Sequence, residues 1–473
     1  MSIFFSGSEA RLGSLGIEPM LPCPPLPNIV AEWAAILPLV CHLASPRDDY
    51  ITTGDVALLG RLSIGLFPRL GTLSGIARLL QRGTKYLDYA SSKGGSSRTV
   101  WDAKWGSVFP CANGAAIAAI SKSLRRHDRS PPQRMPETLT GKLPWKDSEK
   151  SAARDSFTTR HASRWTRDEQ RSTGAEDRQT EEQLIRRYQI LHVYQLHRKQ
   201  TRGSSQESLW RRIKQLSQST PSLVIWSTLL VALAGFLCLF GCYGTAAIVI
   251  CSVISELLAQ GIAIRRPSGY LRNNENHDAY MLVASHENAT EWHLYIGDRA
   301  IIDTLLNKPM FVVPEGRFTH IIANWFRWAH VLQLTAMTFV AAQKGWDGVC
   351  LVVLLAVHWF FCWSLRGRTL AEDWLKRESV EANVKSFEFG GRTAIMGAIQ
   401  VFSRSTTTGW MDRILVPHPR REAWLRCLRG EKGGSNLDAR DAKWLEFASE
   451  ASLASAEVLT SVFGVGNASK QSA

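Results

Sequence analysis

The sequence predicts an all-α membrane protein. Two transmembrane helical hairpins supply four spans, with small cytosolic α/β elements and a disordered basic loop attached. Three observations predict this class. Residues 215–264 run for fifty positions with one charged side chain, Glu256. Residues 321–365 form a second apolar tract whose charges are Arg327, Lys344 and Asp347. Basic residues flank both tracts. A spanning helix needs about 20 apolar residues to cross about 30 Å of hydrocarbon, so each tract is long enough for two. Mean hydropathy over all 473 residues is only −0.11, so the apolar residues are concentrated rather than spread.

In chain order, residues 1–120 form an N-terminal region with membrane-associated helices as one reading. Ile29–Ala44 and Ser107–Ile120 are apolar but short, the length at which a core helix or re-entrant segment competes with a span. Leu58–Leu80 places leucines at near-helical spacing among Arg61, Arg69 and Arg78. An interfacial basic helix and a soluble helix interrupted by Pro68 both fit. Residues 121–214 read as a basic, largely disordered loop. Ser121–Thr180 is too polar to bury the surface that would offset ordering entropy. Glu181–Lys199 fits a helix, with Leu184, Tyr188, Leu191 and Leu196 near one face.

The transmembrane region covers residues 215–365, with an insert at 265–320. Ser222–Cys242 and Gly244–Ile264 form the first hairpin, Ala323–Gln343 and Trp346–Leu365 the second. In the insert, Met281–Ala284 and Trp292–Ile296 read as strands, Gly297-Asp298 as a turn, and Ala300–Leu306 as a helix capped by Asp298. Residues 366–473 read as a helical region. Thr393–Phe402 is too short to span. Trp410–Gly430 fits either a helix on anionic headgroups or a small subdomain core. Trp444–Phe463 closes the chain as a helix.

Arg211, Arg212, Arg265, Arg266, Arg272, Arg366 and Arg368 flank the spans, while the hairpin turns hold only Lys344. Basic flanks stay cytosolic, which places the 121–214 loop, the 265–320 loop and the C-terminus in the cytosol. The formal net charge of +14 then points to anionic headgroups of a lipid bilayer as partner. No nucleic-acid motif accompanies the arginines, so no nucleic acid is expected. Four spans seldom enclose a transport path alone, which raises a homo-oligomer as an expectation.

Familiar catalytic signatures are missing: no phosphate loop, no H-E-x-x-H and no G-x-S-x-G. The nine cysteines form no paired framework, and no cofactor or metal is expected. His277, Asp278, His286, Glu287 and His293 match no standard ligand spacing. The sharper constellation is an intramembrane polar layer of Glu256, His330 and His358. Counting 1.5 Å per residue from the hairpin turns puts all three at one depth. Ser252 and Gln260 extend the Glu256 stripe, while Arg327 and Gln333 share a helix face with His330. Ionisable groups in hydrocarbon are costly and face the bundle interior. These residues support two classes: a transport, sensing or scaffold component without catalysis, or a membrane-embedded redox or metal enzyme using the layer.

The stretches GDRAIIDTLLNKPM, GGRTAIMGAIQVFS and WMDRILVPHPRREAWL resemble segments of uncharacterised polytopic integral membrane proteins of filamentous fungi. The resemblance spans roughly residues 220–430. It implies a multi-pass membrane protein and brings no activity, ligand or catalytic residue.

Overall fold

Sequence patterning and structure part at the sheet. The computed structural model describes residues 20–21, 24–44, 49–62, 64, 72–91, 97–128, 130–136, 188–199, 224–275, 277–343, 345–361, 367–431 and 438–464. It contains a seven-stranded mixed sheet in the order β2-β1-β5-β6-β4-β7-β3. The strands are β1 (Thr99–Asp102), β2 (Val108–Pro110), β3 (Gln133–Arg134), β4 (Gln189–Arg198), β5 (Asp278–Ala284), β6 (Glu291–Asp298) and β7 (Val380–Phe389). β4 pairs parallel with β6 and antiparallel with β7. The all-α expectation is therefore wrong.

Side chains alternate across a strand, so a sheet covered on both faces needs apolar residues at successive positions. These strands meet that need. Val100, Tyr194, Leu196, Met281, Val283 and Tyr295 enter one core. Trp101, Leu191, Val193, Leu282, Leu294 and Phe387 enter the other. The first face is covered by α2 (Asp49–Leu59), α3 (Thr72–Arg82), α4 (Thr84–Ser91), α5 (Gly114–His127), α8 (Arg299–Leu306) and α11 (Gly367–Arg377). The second is covered by α12 (Arg392–Phe402), α13 (Pro419–Leu428) and α14 (Ala439–Phe463). The result is an α/β/α sandwich.

Several expectations change accordingly. Glu181–Lys199 was expected as a helix, but Gln189–Arg198 is an inner strand whose Leu191 and Leu196 face opposite cores. Ser121 and Ser123 are buried on α5, and β3 follows, so the 121–214 region is not one loose loop. Residues 137–187 lie outside the described residues. Trp410 and Trp424 are fully buried, so the C-terminal aromatics form a domain core rather than a headgroup contact. The insert forms the expected two strands and capped helix, with Asp298 accepting a 2.9 Å hydrogen bond from Ala300 N at the start of α8, but Gly297 and Asp298 are the last residues of β6 rather than a turn.

A second body of helices adjoins the first face. It comprises α1 (Asn28–Ala44), α6 (Val224–Leu239), α7 (Tyr243–Gln260), α9 (Arg317–Gln343) and α10 (Trp346–Phe361). All four expected hairpin segments are thus helical, but four spans do not follow. Among the described residues, only α7 is long and apolar enough to cross a bilayer. At 1.5 Å per residue, the 16 residues each of α6 and α10 reach about 24 Å. The 27-residue α9 buries Ile322, Phe326 and Ala329 in the first sandwich core, so that part of it belongs to the sandwich.

α7 and α9 lie antiparallel. Trp325 Nε1 donates to Ser255 Oγ at 3.1 Å, and Cys251 Sγ lies 3.8 Å from the Ala329 carbonyl. The start of α7 is held by α10. Asp347, 3 % exposed, accepts from Gly244 N at 2.8 Å and Thr245 N at 2.9 Å. The first amides of a helix have no partner within it, and a carboxylate satisfies them and the helix dipole together. A Cβ at Gly244 would collide with Val340 and crowd that carboxylate. At the other end, Arg266 donates to Ala57 O, while Arg377 donates to Leu58 O and Leu59 O. Two guanidiniums thereby satisfy the last carbonyls of α2.

Replacing Asp347 by Ala leaves two buried amides unpaired and should cost about 3 kcal/mol. Asp347→Asn keeps one acceptor and should cost less. Thermal unfolding of the full chain in mild detergent should rank wild type above Asn above Ala.

Candidate functional site

The residues of the expected polar layer sit on three helices: Glu256 on α7, His330 on α9 and His358 on α10. Glu256 is half-buried near the C-terminus of α7, where its Oε2 accepts from Ile64 N at 2.8 Å and its Oε1 lies 3.4 Å from Gln260 Nε2. Ile64 follows α2, so this carboxylate ties the helix layer to the sandwich. The His330 ring lies 6.5 Å from that of His42 on α1. His358 is half-buried on α10. Ser252 is buried on α7. Arg327 is exposed on α9 whereas Gln333 is buried, so the two do not share a face. Among the described residues, no three His, Cys, Asp or Glu side chains gather as metal ligands.

A different polar constellation lies on the first sheet face. The tripeptides His192-Val193-Tyr194 and His293-Leu294-Tyr295 sit on β4 and β6. The parallel register pairs His192 with His293 and Tyr194 with Tyr295. The histidine rings stack at 5.3 Å and the tyrosine rings at 4.9 Å. α5 covers them. Ser121 Oγ donates to Ile117 O at 2.7 Å and so accepts from the Tyr295 hydroxyl, also at 2.7 Å. Tyr194 Oη and His293 Nδ1 lie 3.2 Å apart. This cluster was missed in the sequence, although the repeated His-aliphatic-Tyr tripeptide was its signal.

The tautomer of His192 follows from its partners. Arg125 can only donate, so His192 Nε2 accepts from it at 3.3 Å. The neutral ring then carries its proton on Nδ1 and donates to Ser386 Oγ at 2.8 Å. Burial, reinforced by the Arg125 charge, lowers the His192 pKa to about 4. Burial, with His192 and Arg125 adding to it, lowers that of His293 to about 3. Burial also raises both tyrosine hydroxyls above their usual range. A base with a pKa near 4 accepts protons poorly at neutral pH. The column joins β4, β6 and α5.

The surface of the helix layer is the outstanding feature. Trp33 on α1, Trp226 on α6, Trp328 on α9 and Trp359 on α10 are each more than half exposed, at 68 %, 55 %, 67 % and 67 %. Phe236, Leu257, Val331 and Val357 extend this apolar flank. The tryptophans of the sandwich cores, Trp101, Trp292, Trp374, Trp410 and Trp424, are fully buried. No family model matches the sequence, and no curated protein or solved structure matches it significantly. The function must therefore be read from the molecule itself.

The histidine column sets a pH dependence. An unfolded histidine has a pKa of about 6.5, so below that pH the unfolded chain binds protons that the folded chain refuses. Stability should be complete above about pH 6.5 and fall as pH drops toward 5. Each histidine contributes a slope of up to about 1.4 kcal/mol per pH unit. His192→Asn should flatten the fall in melting temperature between pH 6.5 and 5; an unchanged slope would contradict this assignment.

Proposed function

We propose that the protein is a membrane-seated sensing or scaffold component without catalysis. Its helix layer sits in a bilayer and presents the α/β/α sandwich at the membrane face. The carrying observation is the apolar flank shared by α1, α6, α7, α9 and α10. Water-facing proteins rarely leave so many large apolar side chains exposed on adjoining elements, and such surfaces mark contacts with protein or lipid. Indole rings at helix ends favour the headgroup boundary, which suits Trp226 and Trp359.

The small residues between these helices support the same reading. Ala31 and Ala35 of α1 are buried, and the backbone of α1 at Ala34 lies so close to Gly348 of α10 that a Cβ there would meet it at 2.7 Å. Close backbone approach at small residues is the packing that holds helices together where lipid removes the hydrophobic drive. Exposed Arg61, Arg265 and Arg317 lie where α7 ends and α9 begins, the end that meets the sandwich. They suit anionic headgroups.

The full chain expressed in cells should sediment with membranes and stay there through high salt and alkaline carbonate. Detergent should release it. Release by carbonate alone would overturn the reading.

A further inference from the structure

On the far side of the sandwich, β7, the start of α12 and one face of α14 enclose a cleft of about 260 Å³. Its walls are Met135, Phe389, Trp444 and Phe447, with Ala448 and Ala451 at the α14 side. No Asp or Glu lines it. Nothing in the membrane reading depends on this cleft.

Two features make one end of it polar. β7 passes into α12 through Gly390-Gly391, both of which line the cleft. No side chain caps the first turn of α12, and a Cβ at Gly391 would meet nothing within 4 Å. The amides at that turn therefore open toward the cleft beside Thr393. Helix N-termini of this kind hold anions through their amides and dipole.

The second, independent observation is Ser455. It lines the same cleft and is 1 % exposed, and its Oγ has no hydrogen-bond partner among the described residues. A helical serine commonly satisfies itself on the carbonyl four residues back. Ser452 does so on Ala448 O at 2.6 Å, on the same helix. A buried hydroxyl left unpaired costs about 1–3 kcal/mol unless a partner arrives.

We propose that this cleft binds a small amphipathic carboxylate. Its anionic end sits on the first amides of α12 and the Ser455 hydroxyl, and its apolar body lies against Trp444 and Phe447. The volume decides the size class. A dry cavity of about 150 Å³ holds benzene, and pockets for drug-sized ligands begin near 300 Å³. One ring with a short chain fits between them.

The test is calorimetric titration of the full chain in detergent with 3-phenylpropionate, its neutral amide 3-phenylpropanamide, and decanoate. One saturable site per chain is expected, with the aromatic acid at least about tenfold tighter than the amide. The affinity of decanoate relative to the aromatic acid tells whether the native body is a chain or a ring. Ser455→Ala should weaken the acid several-fold, leave the amide unchanged and not lower the melting temperature. Ala451→Phe should fill the cleft and abolish binding of both. The proposal is overturned if no acid saturates a site up to millimolar concentration, if acid and amide bind equally, or if Ser455→Ala leaves acid affinity intact.

Discussion

The Asp347 carboxylate is the constraint on which the arrangement of helices depends. It belongs to the first turn of α10 but serves the first turn of α7. Both amides it accepts from are buried, so neither can turn to water if the carboxylate leaves. Its place requires that residue 244 have no side chain, because α7 there meets Val340 of α9. One carboxylate and one glycine thus fix three helices at one end. At the other end, α7 with the residues just after it, and α9, enter the sandwich core through Ala259, Ile262, Ile322 and Phe326. Glu256 adds a direct bond to the chain after α2. The helix layer and the sheet are therefore coupled through α7 and α9.

What the sequence shows and hides follows from the same physics. Long apolar segments announced α7, α9 and α10 because their composition needs no partner to be recognised. β5, β6 and α8 were legible from short apolar runs and from the cap at Asp298, although Gly297 and Asp298 end β6 rather than form a turn. β4 was not. It lies behind a long polar stretch, and a strand buried on both faces loses the alternation that distinguishes it from a helix. Leu191 and Leu196 looked like one helical face and instead face two cores. The parallel pairing of β4 with β6 joins residues about a hundred positions apart, which local patterning does not report.

The functional residues divide in the same way. Depth counting along ideal spans brought Glu256 level with two histidines, but it assumed that all four segments cross a bilayer. α9 instead spends part of its length in the sandwich core, and Glu256 lies where α7 approaches it. The His-Tyr column needed the register of two distant strands before it became a cluster. Ser455 carries no sequence signal, because an unpaired hydroxyl is a property of packing.

The resulting picture is a sandwich whose cores hide five tryptophans, joined to a helix layer that exposes four. Its central claim is that lipid covers that layer. Spin labels at Trp328→Cys and Val357→Cys on the apolar flank, with one at Val416→Cys on the exposed sandwich surface, test it in liposomes. The native cysteines would first be replaced by Ala or Ser. The account predicts that oxygen relaxes the first two labels more than a water-soluble nickel reagent does, with the reverse at residue 416. Equal access of nickel to all three positions would contradict it.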